Sequence, residues 1–146
     1  MINNGTYFLW EKDDPIDHLS PNFSTSEFTC HCKLLTCKQQ MISVSLIAKL
    51  EHVRAASGPL DITSGYRCPE YQELLTKDPS VETVLQSQHT LGHAADICLA
   101  NSSATLFQFS NLLQECGKYF LAIGQGRRFL HVDERVDKVR RWYYSY

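Results

Sequence analysis

His89 and Asp96 lie seven positions apart in the sequence, and Gly92 stands between them. A continuous helix would place the two residues about 10 Å apart along its axis, and a continuous strand would place them about 23 Å apart on opposite faces. Gly92 supplies the permissive backbone that a sharp turn needs, and residues 93–100 are apolar enough to form a buried strand. The segment therefore predicts a chain that turns back on itself, so that His89 lies over Asp96.

A third polar residue, His131, lies in a predicted strand at 129–133. If it joins His89 and Asp96, two imidazoles and one carboxylate leave a formal positive charge on a zinc ion and a free position for water. This ligand arrangement is typical of catalytic rather than structural zinc sites. A hydrogen-bonded structural pair is the alternative for His89 and Asp96 taken alone.

The composition fits one globular domain. The chain has 146 residues, of which 43% are hydrophobic, and its net charge is −2, which gives no electrostatic case for nucleic acid or an anionic membrane as a partner. No apolar run reaches the ~20 residues of a membrane span, and the amino terminus lacks the features of a signal peptide. We expect an N-terminal arm or edge segment at 1–20 and a single compact domain at 21–146.

Hydrophobic periodicity predicts a few helices that alternate with short strands. Apolar residues at helical spacing predict helices at 43–56 and 103–116, and a proline predicts the start of a shorter helix at 69–75. The predicted apolar stripes are Leu46, Ile47, Leu50 and Val53 in the first helix and Leu106, Phe109, Leu113 and Cys116 in the second. Strands are predicted at 60–64 and 93–100, with a hairpin formed by 120–123 and 129–133. This order favours the α+β class, with a small antiparallel sheet flanked by helices.

Three of the six cysteines, Cys30, Cys32 and Cys37, lie close together in the sequence. With Cys68 they could form a structural zinc site, because thiolates a few residues apart can chelate one ion. Disulfides and plain thiols are the alternatives, since six cysteines permit fifteen full pairings.

Four sequence blocks occur in an order that resembles the D-alanyl-D-alanine carboxypeptidase family of zinc peptidases (peptidase family M15). The resemblance is to its small single-domain members, which include phage peptidoglycan endopeptidases. The blocks are residues 22–28 with the adjacent cysteines, 62–69, 87–97, and 129–133 followed by Trp142. Together they cover most of the chain after position 20.

The resemblance implies that His89, Asp96 and His131 bind Zn²⁺ and that Arg67 faces the metal and contacts the substrate. The planar fork of an arginine suits a carboxylate or a developing oxyanion. Further substrate contacts are assigned to three residues of the matching blocks, Ser64, Tyr66 and Ser87. The implied reaction is hydrolysis of a peptide bond in the stem or cross-link peptides of bacterial peptidoglycan, by a carboxypeptidase or an endopeptidase.

The chain departs from its relatives at the general base. Family members carry an acidic residue three positions before the last zinc histidine or a histidine two before it, but this chain has Arg128 and Phe129 there. We assign the role to Asp133, because residues two apart on a strand face the same way about 7 Å apart. Orientation of His131 is the alternative role of Asp133. The stretch 72–86 also differs from relatives, which affects the expected substrate specificity.

The resemblance predicts a phage-encoded endolysin or virion-associated enzyme. It would be made in the bacterial cytoplasm without a signal peptide, and it would act at the cell wall or be carried in a phage particle. The missing base motivates an alternative function, a non-enzymatic virion or baseplate module that retains the zinc site and has other virion proteins as partners.

Overall fold

The computed structural model describes residues 1–146, which form ten strands and four helices. None of these helices has the length and apolar character that crossing a bilayer requires. In chain order the elements are β1 (Ile2–Asn3), β2 (Tyr7–Glu11), β3 (His18–Ser20), β4 (Phe23–Ser24), α1 (Thr25–Phe28), β5 (Gln39–Ser43), α2 (Val44–Ser57), β6 (Leu60–Ser64), α3 (Pro69–Thr76), β7 (Ala94–Leu99), α4 (Leu106–Gly117), β8 (Ala122–Gln125), β9 (Leu130–Asp133) and β10 (Arg140–Tyr143).

The largest sheet has five strands in the order β10-β8-β9-β7-β6. Its pairs are antiparallel, except that β10 runs parallel to β8. Two smaller sheets, β1-β2-β5 and β3-β4, are antiparallel. The predicted α+β class is confirmed, and β8 and β9 form the predicted hairpin. Strand β10 is an addition that the sequence pattern does not predict.

The central strands β7 and β9 have one apolar face and one polar face. Ala95 and Ile97 of β7 pack in the main hydrophobic core with Leu130 and Val132 of β9. Because side chains alternate along a strand, the intervening residues of both strands point to the opposite face. The core therefore holds the sheet in place from one side and leaves the other side for polar chemistry.

Helix α2 matches its prediction closely, because its apolar stripe is regular. Its four buried residues are those of the predicted stripe, Leu46, Ile47, Leu50 and Val53. Helix α4 begins three residues later than predicted, since Thr105 and Gln108 form a capping box at its start. Leu106 is 85% exposed, so the predicted apolar stripe of this helix is wrong at that position.

The first 20 residues contribute directly to the core. Strand β2 lies between β1 and β5 instead of at a sheet edge, and its Phe8 and Trp10 are buried in the same cluster as Phe23 and Phe28. The indole N–H of Trp10 also donates to the hydroxyl of Thr29 at 3.1 Å. The amino-terminal segment is thus packed into the core through β2, while β1 lies at the edge of its sheet.

Candidate metal centre and cleft

The strand register aligns one row of residues across the five-stranded sheet. Ser64 is opposite Asp96, Asp96 is opposite His131, His131 is opposite Gly124, and Gly124 is opposite Trp142. Directly opposed residues of neighbouring strands project from the same face. The row therefore brings residues from four distant parts of the sequence to the polar face of the sheet.

His89 reaches this row through the turn that precedes β7. The backbone N–H of Gly92 donates to the carbonyl of His89 at 3.2 Å, and that of His93 donates to the carbonyl of Gln88 at 3.0 Å. Gly92 has φ of 73°, in the left-handed region that glycine adopts without strain. The chain folds back as its spacing predicts, and His89 Nε2 lies 3.2 Å from Asp96 Oδ1.

Three predicted ligand atoms converge on the row: the ligand atoms of His89, Asp96 and His131 all lie within 4.8 Å of one another. Asp96 Oδ1 is 3.2 Å from His89 Nε2 and 3.0 Å from His131 Nδ1. A tetrahedral zinc ion with bonds of about 2.0 Å would space its nitrogen and oxygen ligands about 3.3 Å apart. The donor set and its spacing therefore fit a single zinc ion.

The far nitrogen of each imidazole is held by an acceptor. His89 Nδ1 donates to the backbone carbonyl of Gly65 at 2.7 Å, and His131 Nε2 donates to Asp133 Oδ2 at 2.9 Å. Such partners fix the tautomer and the ring orientation of metal-binding histidines. The lone pair of His89 Nε2 is thereby directed at Asp96, and so is that of His131 Nδ1 when the His131 ring is neutral.

The protonation states of His89 and Asp96 also favour a bound cation, whereas His131 must give up a proton to bind one. Burial lowers the pKa of His89, so its ring is neutral near pH 7. Burial opposes ionisation of Asp96, but the adjacent imidazoles outweigh it and hold the pKa of this carboxyl well below its usual range. Burial likewise opposes charging of His131, yet Asp133 and Asp96 raise its pKa. A neutral His89 Nε2 then faces a carboxylate oxygen, and a cation between the two lone pairs relieves their repulsion.

Arg67 lies beside the cluster and is held on three of its nitrogens. Nη2 donates to Asp96 Oδ2 at 3.1 Å, Nη1 donates to Gln72 Oε1 at 3.2 Å, and Nε donates to Ser64 Oγ at 3.0 Å. A guanidinium has five N–H donors. Two N–H groups of Arg67 are therefore left for a ligand in the cleft.

Asp133, the predicted general base, has no free oxygen in the structure. Oδ2 accepts from His131 and from Arg135 Nη2, both at 2.9 Å. Oδ1 accepts from the side-chain and backbone N–H groups of Arg135, at 2.9 and 3.1 Å. Burial opposes its ionisation, but His131 and Arg135 hold the pKa of Asp133 well below its ordinary value. This geometry favours orientation of His131 over proton abstraction, and the role of general base stays a prediction.

The three predicted substrate contacts differ in their placement. Ser64 and Ser87 line the cleft, and Ser87 Oγ accepts from the backbone N–H of His89 at 3.2 Å. Tyr66 is absent from the cleft wall and packs against the four-cysteine cluster. Contact between Tyr66 and the substrate stays a prediction.

The cleft has a volume of about 850 Å³ and an aromatic wall that the sequence pattern does not place there. Phe129, Trp142, Tyr144 and Tyr146 contact one another along this wall. Burial raises the pKa of Tyr144 to about 12, so its hydroxyl stays protonated. The run of aromatic residues at the carboxyl end was the signal from which this wall could have been predicted. The position of the wall beside the cleft, however, depends on the parallel pairing of β10 with β8.

Gln72 is a further contributor that sequence reasoning missed. It is fully buried, and its amide nitrogen donates to Thr83 Oγ1 at 2.7 Å and to the carbonyl of Val84 at 2.6 Å. Because its oxygen accepts from Arg67, Gln72 connects that arginine to the loop that forms one side of the cleft. A polar residue in the short predicted helix at 69–75 was the only signal.

His93 lies outside the cleft, in a separate network. Its Nε2 is 2.6 Å from the hydroxyl of Tyr7, and its Nδ1 is 3.0 Å from Glu134 Oε1. Lys49 donates to Glu134 Oε2 at 2.9 Å. These contacts tie β2 and α2 to the end of β9.

A cleft with a His-Asp-His cluster at its floor is the architecture of a metal-dependent hydrolase. The model of the family described as peptidase M15 matches residues 21–133. The chain therefore belongs to the peptidase M15 family. A search among curated proteins gave no match. The matched range contains the whole cluster together with Arg67 and Asp133, and it ends before the aromatic residues of β10.

Proposed function

We propose that the protein is a zinc-dependent peptidase that hydrolyses peptide bonds in the stem or cross-link peptides of bacterial peptidoglycan. Membership of the peptidase M15 family supports a peptidase. The observation that carries the zinc assignment is the convergence of His89 Nε2, Asp96 Oδ1 and His131 Nδ1. Both imidazoles have their other nitrogen held by an acceptor, as a preformed metal site requires.

When bound, zinc would polarise the scissile carbonyl and acidify a water molecule. The chain itself supplies charge complementarity through Arg67, which lines the cleft and keeps two N–H groups that its contacts with Ser64, Gln72 and Asp96 do not use. They suit either a substrate carboxylate or the negative charge that develops on the carbonyl oxygen. The contacts with Ser64 and Gln72 hold the guanidinium in place, so little reorganisation is needed during the reaction.

The size and lining of the cleft support an extended peptide as substrate. Its volume of about 850 Å³ lies near the upper end of the range for small-molecule sites. The aromatic wall offers apolar surface for the side chains of the peptide, and the protonated hydroxyl of Tyr144 can donate a hydrogen bond to a peptide carbonyl.

The proposal extends to origin and location. Resemblance to small single-domain peptidases of phages supports a phage-encoded endolysin or virion-associated enzyme that acts at the bacterial cell wall. Virion or baseplate proteins are partners within this proposal.

A second candidate function is a virion or baseplate module that keeps the zinc site without efficient catalysis. The specific observation in its favour is that both oxygens of Asp133 are occupied by His131 and Arg135. Arg128 and Phe129, at the positions of the usual base, cannot take a proton from water.

Digestion of purified peptidoglycan by the zinc-loaded protein separates these two functions. Mass spectrometry should detect new amine termini, which a chelator abolishes and added zinc restores. Release of single terminal residues would identify a carboxypeptidase, and separation of cross-linked stems would identify an endopeptidase. His131→Ala should give no products, whereas His52→Ala, which changes an exposed histidine, should match wild type. Absence of products from zinc-loaded wild type would overturn the enzyme and favour the module.

A further inference from the structure

Four cysteines form a second compact cluster, separate from the His-Asp-His centre. Cys30, Cys32 and Cys37 lie in the loop between α1 and β5, and Cys68 is the residue that precedes α3. All four are buried, with exposed fractions of 2 to 7%. Their four sulfur atoms lie within 4.8 Å of one another. The proposed peptidase reaction uses none of these thiols.

The sulfur spacing distinguishes a metal site from a disulfide. Cys32 Sγ is 3.7 Å from Cys68 Sγ, whereas a disulfide joins its sulfurs at about 2.05 Å. All six cysteines of the chain are free thiols in the structure. A tetrahedral zinc ion with zinc–sulfur bonds of about 2.3 Å would space its sulfurs about 3.8 Å apart. The cluster therefore has the dimensions of four thiolates around one ion.

Every sulfur of the cluster also accepts one N–H donor. The four donor–sulfur distances are 3.4–3.5 Å, for Lys12 Nζ on Cys32, Gln40 Nε2 on Cys37, the backbone N–H of Cys68 on Cys30, and the backbone N–H of Tyr71 on Cys68. A thiolate is a far better acceptor than a thiol, and donors of this kind stabilise metal-bound sulfur.

The donors to Cys37 and Cys68 are held in position by other contacts of the fold. Gln40 is fully buried, and its amide oxygen accepts from the backbone N–H of Cys30 at 2.7 Å, which directs its amide nitrogen to Cys37. The donor to Cys68 belongs to the first turn of α3, where the helix dipole favours negative charge. With the ammonium of Lys12, these groups offset the excess negative charge that four thiolates leave around a divalent cation.

We propose that Cys30, Cys32, Cys37 and Cys68 bind one structural zinc ion, in addition to the ion at the His-Asp-His centre. With four protein ligands this site is closed, which is the arrangement of structural rather than catalytic zinc. A single ion fits the sulfur spacing, and the exclusively sulfur donor set suits zinc.

The ion would hold the segment that supports the cleft. Cys68 directly follows Arg67, and Gly65, three residues before Cys68, provides the carbonyl that orients His89. The backbone N–H of Tyr66 donates to the carbonyl of Phe28 at 2.9 Å, which anchors the same segment to α1. Zinc at the cysteines would therefore hold residues 65–68 through Cys68, and the His-Asp-His centre depends on the same segment through Gly65 and Arg67.

Cobalt substitution tests the proposal in the wild-type protein. Only sulfur ligands give Co²⁺ an intense sulfur-to-metal charge-transfer band in the near ultraviolet, and the His-Asp-His centre has none. We expect this band in wild type, in His89→Ala and in Cys98→Ser, which removes a cysteine outside the cluster. Cys37→Ser should weaken or abolish it. Failure of the proposed peptidase function leaves this readout unchanged, so the two proposals fail separately.

Metal content provides the second measurement. Wild type should hold about two zinc ions per chain and His89→Ala about one, since a closed site binds a single ion. If Cys37→Ser does not fold, a mercurial reagent added to wild type should release one zinc as it modifies the four clustered thiols. Metal-free protein with four freely reactive thiols would overturn the proposal. Iron bound in place of zinc would also overturn it. Disulfides among the four cysteines would overturn it too, and they would lower the mass of the protein by two hydrogens per bond.

Discussion

Replacement of Asp133 by asparagine tests whether this buried carboxylate orients a metal ligand or takes a proton during the reaction. The carboxylate accepts from His131 Nε2 and, through both oxygens, from Arg135. Asparagine keeps the shape of the side chain but has a single carbonyl oxygen to accept from these donors. Its amide N–H groups would then face the N–H group of either His131 or Arg135. The imidazole of His131 therefore loses its charged acceptor or gains a repulsive contact.

The expected effect is a loss of metal affinity. Removal of a partner of this kind weakens a metal site by about 10–100-fold, which corresponds to ~1.4–2.7 kcal/mol of binding free energy. Competition with a chromophoric chelator measures the dissociation constant for zinc, and turnover measured against free zinc separates binding from chemistry. In Asp133→Asn, turnover should recover as zinc is raised. Asp137→Asn, which changes a carboxylate whose side chain is 60% exposed, should leave affinity and turnover unchanged.

The opposite pattern would refute this reasoning. If Asp133→Asn binds zinc as tightly as wild type and has no turnover at saturating zinc, the carboxylate acts as the general base that the sequence predicts. The orienting role would then be wrong.

Three further predictions follow from contacts in and around the sheet. Arg67→Lys should keep the zinc content and lower kcat/KM by about 100-fold, since one ammonium cannot replace the planar fork that we propose holds a substrate carboxylate or a developing oxyanion. Gly92→Ala should lower the free energy of unfolding in urea by at least about 1–2 kcal/mol, because φ is 73° and the new Cβ would lie 3.1 Å from the carbonyl oxygen of Met41; equal stability would show that the turn relaxes. Glu134→Gln should cost about 1–3 kcal/mol by removing the charged acceptor of Lys49. Burial opposes ionisation of Glu134, but its hydrogen bonds outweigh burial and lower its pKa. The stabilisation that ionised Glu134 provides is therefore complete above its ordinary pKa of 4.5. It is lost as the pH falls through the lower pKa of the folded state. Urea titrations at several pH values should therefore show a flatter acid limb in the variant.

The elements that could be predicted from the sequence are those specified by local patterns. The stripe of α2 repeats at helical spacing, and Ser43 caps its start by accepting from the backbone N–H of Leu46. The turn at Gly92 could be predicted because no straight segment brings His89 to Asp96. Both depend on residues within a few positions of one another.

What the sequence could not predict depends on long-range pairing. Strand β10 lies beside β8 because Gly124 has no side chain: a Cβ there would lie 2.5 Å from the indole of Trp142. That relation is invisible in a periodicity pattern, and so is the resulting aromatic wall. The engagement of Asp133 by Arg135 was also missed, since the alternation of a strand gives no information about the side chains that follow its end. Leu106 was misplaced because the capping box starts α4 at this residue, which puts Leu106 at the exposed end of the helix.

The pairing of Asp96 with His131 across β7 and β9 makes metal uptake sensitive to strand alignment. A slip of β9 by one residue would turn the imidazole of His131 into the core and bring Val132 to the metal side. A ligand that binds to only one of two strand alignments stabilises that alignment and increases its population. Zinc at the His-Asp-His centre would thus select the correctly paired sheet as the chain folds, and molecules with a shifted register would lack this ion.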